Sequence, residues 1–146
     1  MLSGIHPILG GELLAALDRL GHGDELVVAD ANFPAHRIGG TVVELAGLAA
    51  ADVVGAIRTV VPLDAYEGAS VLLMAAEGGA RLPVQQELVA TAVVAADRVG
   101  ELERFDFYER AAAAQLIVRT GELRPYGNLI LRKGVVNRYE QAGAAE

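Results

Sequence analysis

The chain has 146 residues, enough for one domain with a real core and short for two. A hydrophobic fraction of 53% argues against disorder, and the lack of cysteine excludes disulfides, thiolate metal sites and a cysteine nucleophile. The net charge of -7, with 12 scattered Lys and Arg, speaks against nucleic-acid binding, which needs a concentrated basic face.

Much of the apolar content is Ala, Val and Leu, with 17 glycines and no Trp, so helices can lie close on a sheet and apolar surface is left for subunit contacts. Met1-Leu2-Ser3-Gly4-Ile5-His6-Pro7 lacks the basic start and apolar stretch of a signal peptide. The most apolar window, Leu88 to Ala96, is too short to cross a bilayer. The expectation is a cytoplasmic protein with no membrane partner.

Residues 11 to 20 place Leu13, Leu14, Leu17 and Leu20 on one helical stripe, with Gly21 expected in the left-handed cap. Leu26-Val27-Val28-Ala29 reads as a strand covered on both faces. It ends in the polar cluster Asp30-Ala31-Asn32-Phe33-Pro34, at the kind of strand end where open α/β sheets bind ligands. Val42 to Leu45 is a short strand. Residues 50 to 61 repeat Val53, Val54, Ile57, Val60 and Val61 at helical spacing before Pro62.

Val71 to Ala75 is a second buried strand, followed by the Gly78-Gly79 turn. Pro83 opens a helix expected to run to about Ala96. Glu103-Arg104-Phe105 reads as a strand end, and Asp106 as the cap of a helix to about Gln115, with Glu109 completing a capping box. Leu116 to Val118 and Leu129 to Leu131 are the last strands, joined through a turn from Gly121 to Asn128. Strands alternating with helices imply an α/β fold. The expected architecture is a three-layer α/β/α domain over residues 1 to 146 with a mainly parallel, mixed central sheet, its tail from 138 onward frayed.

Of the seven aromatics (four Tyr, three Phe), Phe33, Phe105, Phe107, Tyr108 and Tyr126 lie within or beside polar loop segments. Sugars suit such places, because C–H faces stack on rings while hydroxyls need polar partners. Phe105 and Phe107 read equally well as core residues under a loop. His22, between two glycines, is open to a small ligand and able to exchange protons near neutral pH, with Asp24 or Asp30 to set its tautomer. The alternative is a histidine favoured by the negative carboxyl end of a helix.

Tyr126-Gly127-Asn128 offers a phenol and an amide, or is an ordinary turn; Arg104 is a ligand contact or a surface ion pair. His22, Asp24, Asp30 and His36 lack a recognisable metal-ligand spacing, so no metal is expected. The paired glycines do not form a dinucleotide loop, and neither Ser3 nor Ser70 sits in a nucleophile elbow.

Several segments occur together in order: His6-Pro7, Gly21-His22-Gly23-Asp24-Glu25, Asp30-Ala31-Asn32-Phe33-Pro34-Ala35-His36 and Arg104-Phe105-Asp106-Phe107-Tyr108-Glu109-Arg110-Ala111. Thr120-Gly121-Glu122, Tyr126-Gly127-Asn128 and Lys133-Gly134-Val135 follow. From about Ile5 to Val135 the chain thereby resembles the fucose mutarotase and ribose pyranase family, nearest its L-fucose branch. The resemblance implies an α/β fold that self-associates into a homo-oligomer, a ring such as a decamer included, with sites at subunit boundaries.

Carried over residue by residue, the resemblance makes His22 the general acid, and Asp30, Arg104, Tyr126, Gly127 and Asn128 the sugar-binding set. Asp64 and Tyr108 are further binding candidates, and Tyr126 shares proton transfer. The implied partner is a monosaccharide, L-fucose or ribose, with no cofactor. Anomer interconversion needs one group to protonate the ring oxygen and another to take the anomeric hydroxyl proton, and it involves no redox change. Positioned acid–base groups supply about 10²–10⁴-fold, enough for a reaction that already proceeds in water. Two other readings remain: a sugar-binding or sensory protein without turnover, and a metal-assisted isomerase or lyase built on His22 and His36.

Overall fold

A computed structural model describes residues 1 to 138; the tail expected to fray lies, from residue 139, outside the described residues. Five helices and six strands follow in chain order: α1 (Gly11–Asp18), β1 (Glu25–Ala29), α2 (Ala35–Ile38), β2 (Thr41–Leu45), α3 (Ala50–Arg58) and β3 (Val71–Met74). Then come α4 (Pro83–Ala92), β4 (Val99–Leu102), α5 (Arg104–Ala113), β5 (Leu116–Thr120) and β6 (Leu129–Arg132).

The strands form one sheet in the order β2-β5-β1-β6-β3-β4. β5 runs parallel to both β1 and β2, and β3 runs parallel to β4. β6 enters between β1 and β3 antiparallel to each, with Ile130 opposite Val27 on one side and Leu72 on the other. The sheet is therefore mixed, with its parallel pairs on either side of one reversed strand.

Apolar runs with no polar alternation make these strands buried on both faces. Leu26 and Val28 of β1, with Leu116, Val118, Leu129 and Leu131, point into a core closed by α1, α3 and α4. Val27 and Ala29, with Ile117 and Ile130, point the other way into a smaller core closed by Phe33, Ala35, Phe107 and Ala111. Successive residues of one strand thus serve opposite layers, and the α/β/α arrangement follows. Phe107 is fully buried in the second core. Phe105 is 65% exposed, so the two phenylalanines have opposite fates.

Five local expectations are corrected. Helix α1 stops at Asp18 and Arg19 keeps a right-handed conformation. Gly21 is no left-handed cap: its N–H donates to Asp24 Oδ2 at 2.7 Å, and the positive φ of 82° falls on Gly23. Helix α4 ends at Ala92, not Ala96, because Val93 takes a left-handed backbone (φ 52°) before a 3-10 turn at Ala96–Arg98. The strand before α5 is Val99–Leu102, and Glu103 is the helix cap, its carboxylate accepting the Phe105 N–H at 2.7 Å. Asp106 consequently sits in the first turn, where its charge suits the helix dipole.

The carboxyl ends of β1, β3, β4 and β5 and the amino end of β6 all meet on one side of the sheet. That side receives Asp30, the start of α5 and the loop 121 to 128.

Candidate active site

Asp30 follows β1 directly and is buried. Asn128 precedes β6, and the antiparallel register brings the two residues together. Their contact is reciprocal: Asp30 N–H donates to Asn128 Oδ1 at 2.7 Å, while Asn128 Nδ2 donates to Asp30 Oδ2 at 2.9 Å. Asp30 Oδ1 accepts the Asn32 N–H at 2.9 Å. Burial pushes the Asp30 carboxyl up from the ordinary value, the hydrogen bonds from Asn128, Asn32 and Phe33 oppose that rise, and the nearby Glu122 charge adds to it. The group is therefore more ready to hold a proton than a surface aspartate.

Around this pair lies a cleft of about 280 Å³, lined also by Phe33, Met74, Arg104, Tyr108, Pro125 and Tyr126. Its volume lies near the lower end of the range for small-ligand sites. Phe33 meets the Tyr108 ring edge-on at 5.5 Å, so an aromatic wall faces the polar groups. The Arg104 guanidinium lies 4.8 Å over the Phe105 ring at the first turn of α5, which keeps its charge at the rim. Tyr126 is one of two non-glycine residues with positive φ (62°) among those described, a conformation that costs energy and persists only where surroundings enforce it.

Gly127 stands between Tyr126 and Asn128 because nothing larger fits: a Cβ there would come 2.7 Å from Glu122 Cγ. The same loop begins at Gly121, whose Cβ would meet Ala46 O at 2.1 Å. Gly121→Ala is expected to lower stability by about 1–3 kcal/mol or more, since backbone must separate to admit the methyl. A denaturant midpoint unchanged from wild type would refute that close approach.

His22 and Asp64 occupy the other end of the sheet. The five residues of β1 lie between His22 and Asp30, and at about 3.3 Å per residue the strand alone spans on the order of 13 Å. His22 is half exposed, and its Nε2 lies 3.2 Å from Oδ1 of the buried Asp64. Neither Asp24 nor Asp30 serves this imidazole. The Tyr66 N–H bond, outweighing burial and joined by His22 and Arg132, holds the Asp64 carboxyl below its ordinary value. An ionised carboxylate only accepts, so the ring presents Nε2–H to Asp64 and leaves Nδ1 open for proton exchange. Tyr66 packs edge-on against the imidazole at 5.6 Å.

One chain thus gathers Asp30, Arg104, Tyr108, Tyr126 and Asn128 at a single cleft, with Gly127 in the supporting turn. It sets His22 with Asp64 apart from them. His36 pairs with Glu44 at 2.7 Å on the surface, away from His22. No group of three His, Cys, Asp or Glu residues suited to a metal ion occurs among the described residues. Phe33 and Asn32 line the cleft from the polar cluster the sequence singled out, whereas Met74 and Pro125 carried no signal as cleft walls. Reasoning from sequence also passed over the Asp64–His22 pairing, for which no local signal exists.

The sequence pattern of the RbsD / FucU transport protein family matches residues 3–136. An L-fucose mutarotase of Haemophilus influenzae is 43% identical over 140 residues, covering 92% of this chain and 97% of the relative. Among solved structures, the fucose mutarotase of Streptococcus pneumoniae in complex with L-fucose superposes with a TM-score of 0.84 at 34% identity, over 92% of this chain and 99% of that one. RbsD of Bacillus subtilis complexed with D-ribose gives 0.74 at 26% identity, over 90% and 97%.

Proposed function

The chain belongs to the RbsD / FucU transport protein family, and from that membership and the cleft geometry we propose that it is a sugar mutarotase acting on L-fucose. The observation that carries the reading is the buried Asp30–Asn128 pair facing Tyr108, Tyr126 and Arg104 across a cleft sized for a small ligand. L-fucose is favoured over ribose because the fucose-bound relative shares more of this chain's sequence and shape than the ribose-bound one. No helix among the described residues is long and apolar enough to cross a membrane. The reading places the enzyme in the cytoplasm, working on free monosaccharide.

Mutarotation opens the hemiacetal and closes it on the other carbonyl face. Asp30 and Asn128 hold sugar hydroxyls, Arg104 donates from the rim, and the rings of Phe33 and Tyr108 take the apolar face. The His22 imidazolium, its Nε2–H held by Asp64, gives its Nδ1 proton to the ring oxygen while the Asp30 carboxylate takes the anomeric hydroxyl proton, and closure reverses both transfers. Tyr126 donates a hydrogen bond to the anomeric oxygen as the carbonyl forms there and keeps its own proton. Because His22 stands at the far end of β1, the complete site requires His22 from a second copy. Self-association into a closed ring, a decamer included, supplies such a repeated contact.

Exchange spectroscopy on equilibrated L-fucose tests the reading. Added protein should raise the α/β interconversion rate, and chelator should leave the raised rate unaltered. Unchanged exchange of both L-fucose and D-ribose would refute the mutarotase, and sugar binding without exchange would favour a sensory or carrier protein.

A further inference from the structure

The Thr120-Gly121-Glu122 segment leads from β5 into the loop that carries Tyr126 and Asn128, and no sugar contact accounts for its carboxylate. Glu122 is 5% exposed. Its Oε1 accepts the Arg124 N–H at 3.0 Å and Arg124 Nε at 2.9 Å, and its Oε2 accepts an Arg124 terminal nitrogen at 2.9 Å. The pair is bidentate, the strongest arrangement open to these groups. The same guanidinium reaches Glu87 Oε2 of α4 at 2.7 Å. That outer contact is half exposed and weak by itself, but it tethers the loop to a helix.

Glu122 also reaches both halves of the cleft. Its carbonyl accepts the N–H of Ala31, the neighbour of Asp30, at 2.9 Å, and its N–H donates to Thr120 Oγ1 at 3.2 Å. Thr120 Oγ1 in turn donates to Ala29 O at 2.8 Å. Glu122 Cγ is the atom against which Gly127 closes. The strained backbone of Tyr126 lies two residues beyond Arg124, between the paired guanidinium and Gly127, which packs against Glu122.

We propose that Glu122, locked to Arg124, is a positioning residue that holds the Tyr126-Gly127-Asn128 turn in sugar-binding geometry. It acts through that turn and touches no substrate. The inference rests on the mutarotase reading for its kinetic consequence, but not for its structural one. Pairing with Arg124, outweighing burial, pulls the Glu122 carboxyl down to about 2. A carboxyl so depressed contributes stability that is fully present above its ordinary unfolded value and is lost progressively as pH falls from there through about 2. The clamp therefore stays charged at any pH where sugar exchange is measured.

The test compares wild type, Glu122→Gln, Arg124→Gln and the double variant. Amide hydrogen exchange without sugar should show faster exchange over residues 123 to 128 in each variant. With L-fucose, KM should rise by about tenfold or more while kcat falls less, because misplaced binding groups lose affinity for sugar before they lose proton transfer. The double variant should be little worse than either single change, since both remove one interaction.

Wild-type loop protection and wild-type KM in Glu122→Gln would overturn the proposal, as would a lowered melting temperature with both readouts unmoved. Should Glu122→Gln fail to fold, Arg124→Gln carries the same comparison, because Arg124 is half exposed. A wild-type protein without sugar exchange would sink the mutarotase reading alone, and the loop's hydrogen exchange would still decide for or against the clamp.

Discussion

Replacing His22 with glutamine is expected to reduce the protein-catalysed α/β exchange of L-fucose by about 10²–10⁴-fold while sugar binding survives. The glutamine amide can still donate towards Asp64, so the buried carboxylate keeps a partner, but it cannot release and recover a proton at neutral pH. His22 is half exposed, with contacts to Tyr66 and Asp64, so the fold should tolerate the change. The loss should appear in kcat with KM nearly unchanged, the signature of an interaction made only in the transition state. Exchange spectroscopy beside calorimetric titration of L-fucose measures both quantities. An undiminished rate would remove His22 from the reaction and pass proton transfer to Tyr126 and Asp30.

How much of this arrangement was legible in the sequence depended on whether the signal was local. β1, β3, β5 and β6 were plain because runs such as Leu26 to Ala29 and Leu129 to Leu131 bury side chains on both faces. β4 was not, since Val-Gly-Glu-Leu holds only two apolar residues and lies at the sheet edge. Gly100 is small there because Leu72 crosses it: a Cβ would lie 2.9 Å from Leu72 Cδ2, a neighbour distant in sequence.

The start of α5 was misplaced because Glu103 and Asp106 both offer a carboxylate, and only the backbone turn decides which one caps. In the site, Asp30 could be found from its place past a buried strand. Its bond to Asn128 spans 98 positions and becomes visible only when β6 is laid beside β1. Asp64 meets His22 for the same kind of reason, through the reversed strand that brings Arg132 and Lys133 back towards Asp24 and Asp64.

That reversed strand leads to the strongest test of a shared site. His22 and Asp30 sit close in sequence but at opposite ends of β1, so the proposed shared site would draw one residue from each of two copies. His22→Gln and Asp30→Asn proteins should each be inactive. Unfolded and refolded together in equal amounts, they should form mixed rings in which about a quarter of the sites join an unmutated His22 to an unmutated Asp30. Exchange activity should therefore return to about a quarter of the wild-type rate, from a mixture of two dead proteins. A site contained in one chain forbids this, because every chain in the mixture carries a lesion. Asp30→Asn is a conservative choice, since an amide keeps one acceptor for Asn128 Nδ2 and the shape of the buried pair, while removing a carboxyl whose raised pKa suits it to exchanging protons. No recovered activity, in a mixture that light scattering shows to have exchanged subunits, would place proton transfer within a single chain and leave Tyr126 and Asp30 as the groups able to perform it.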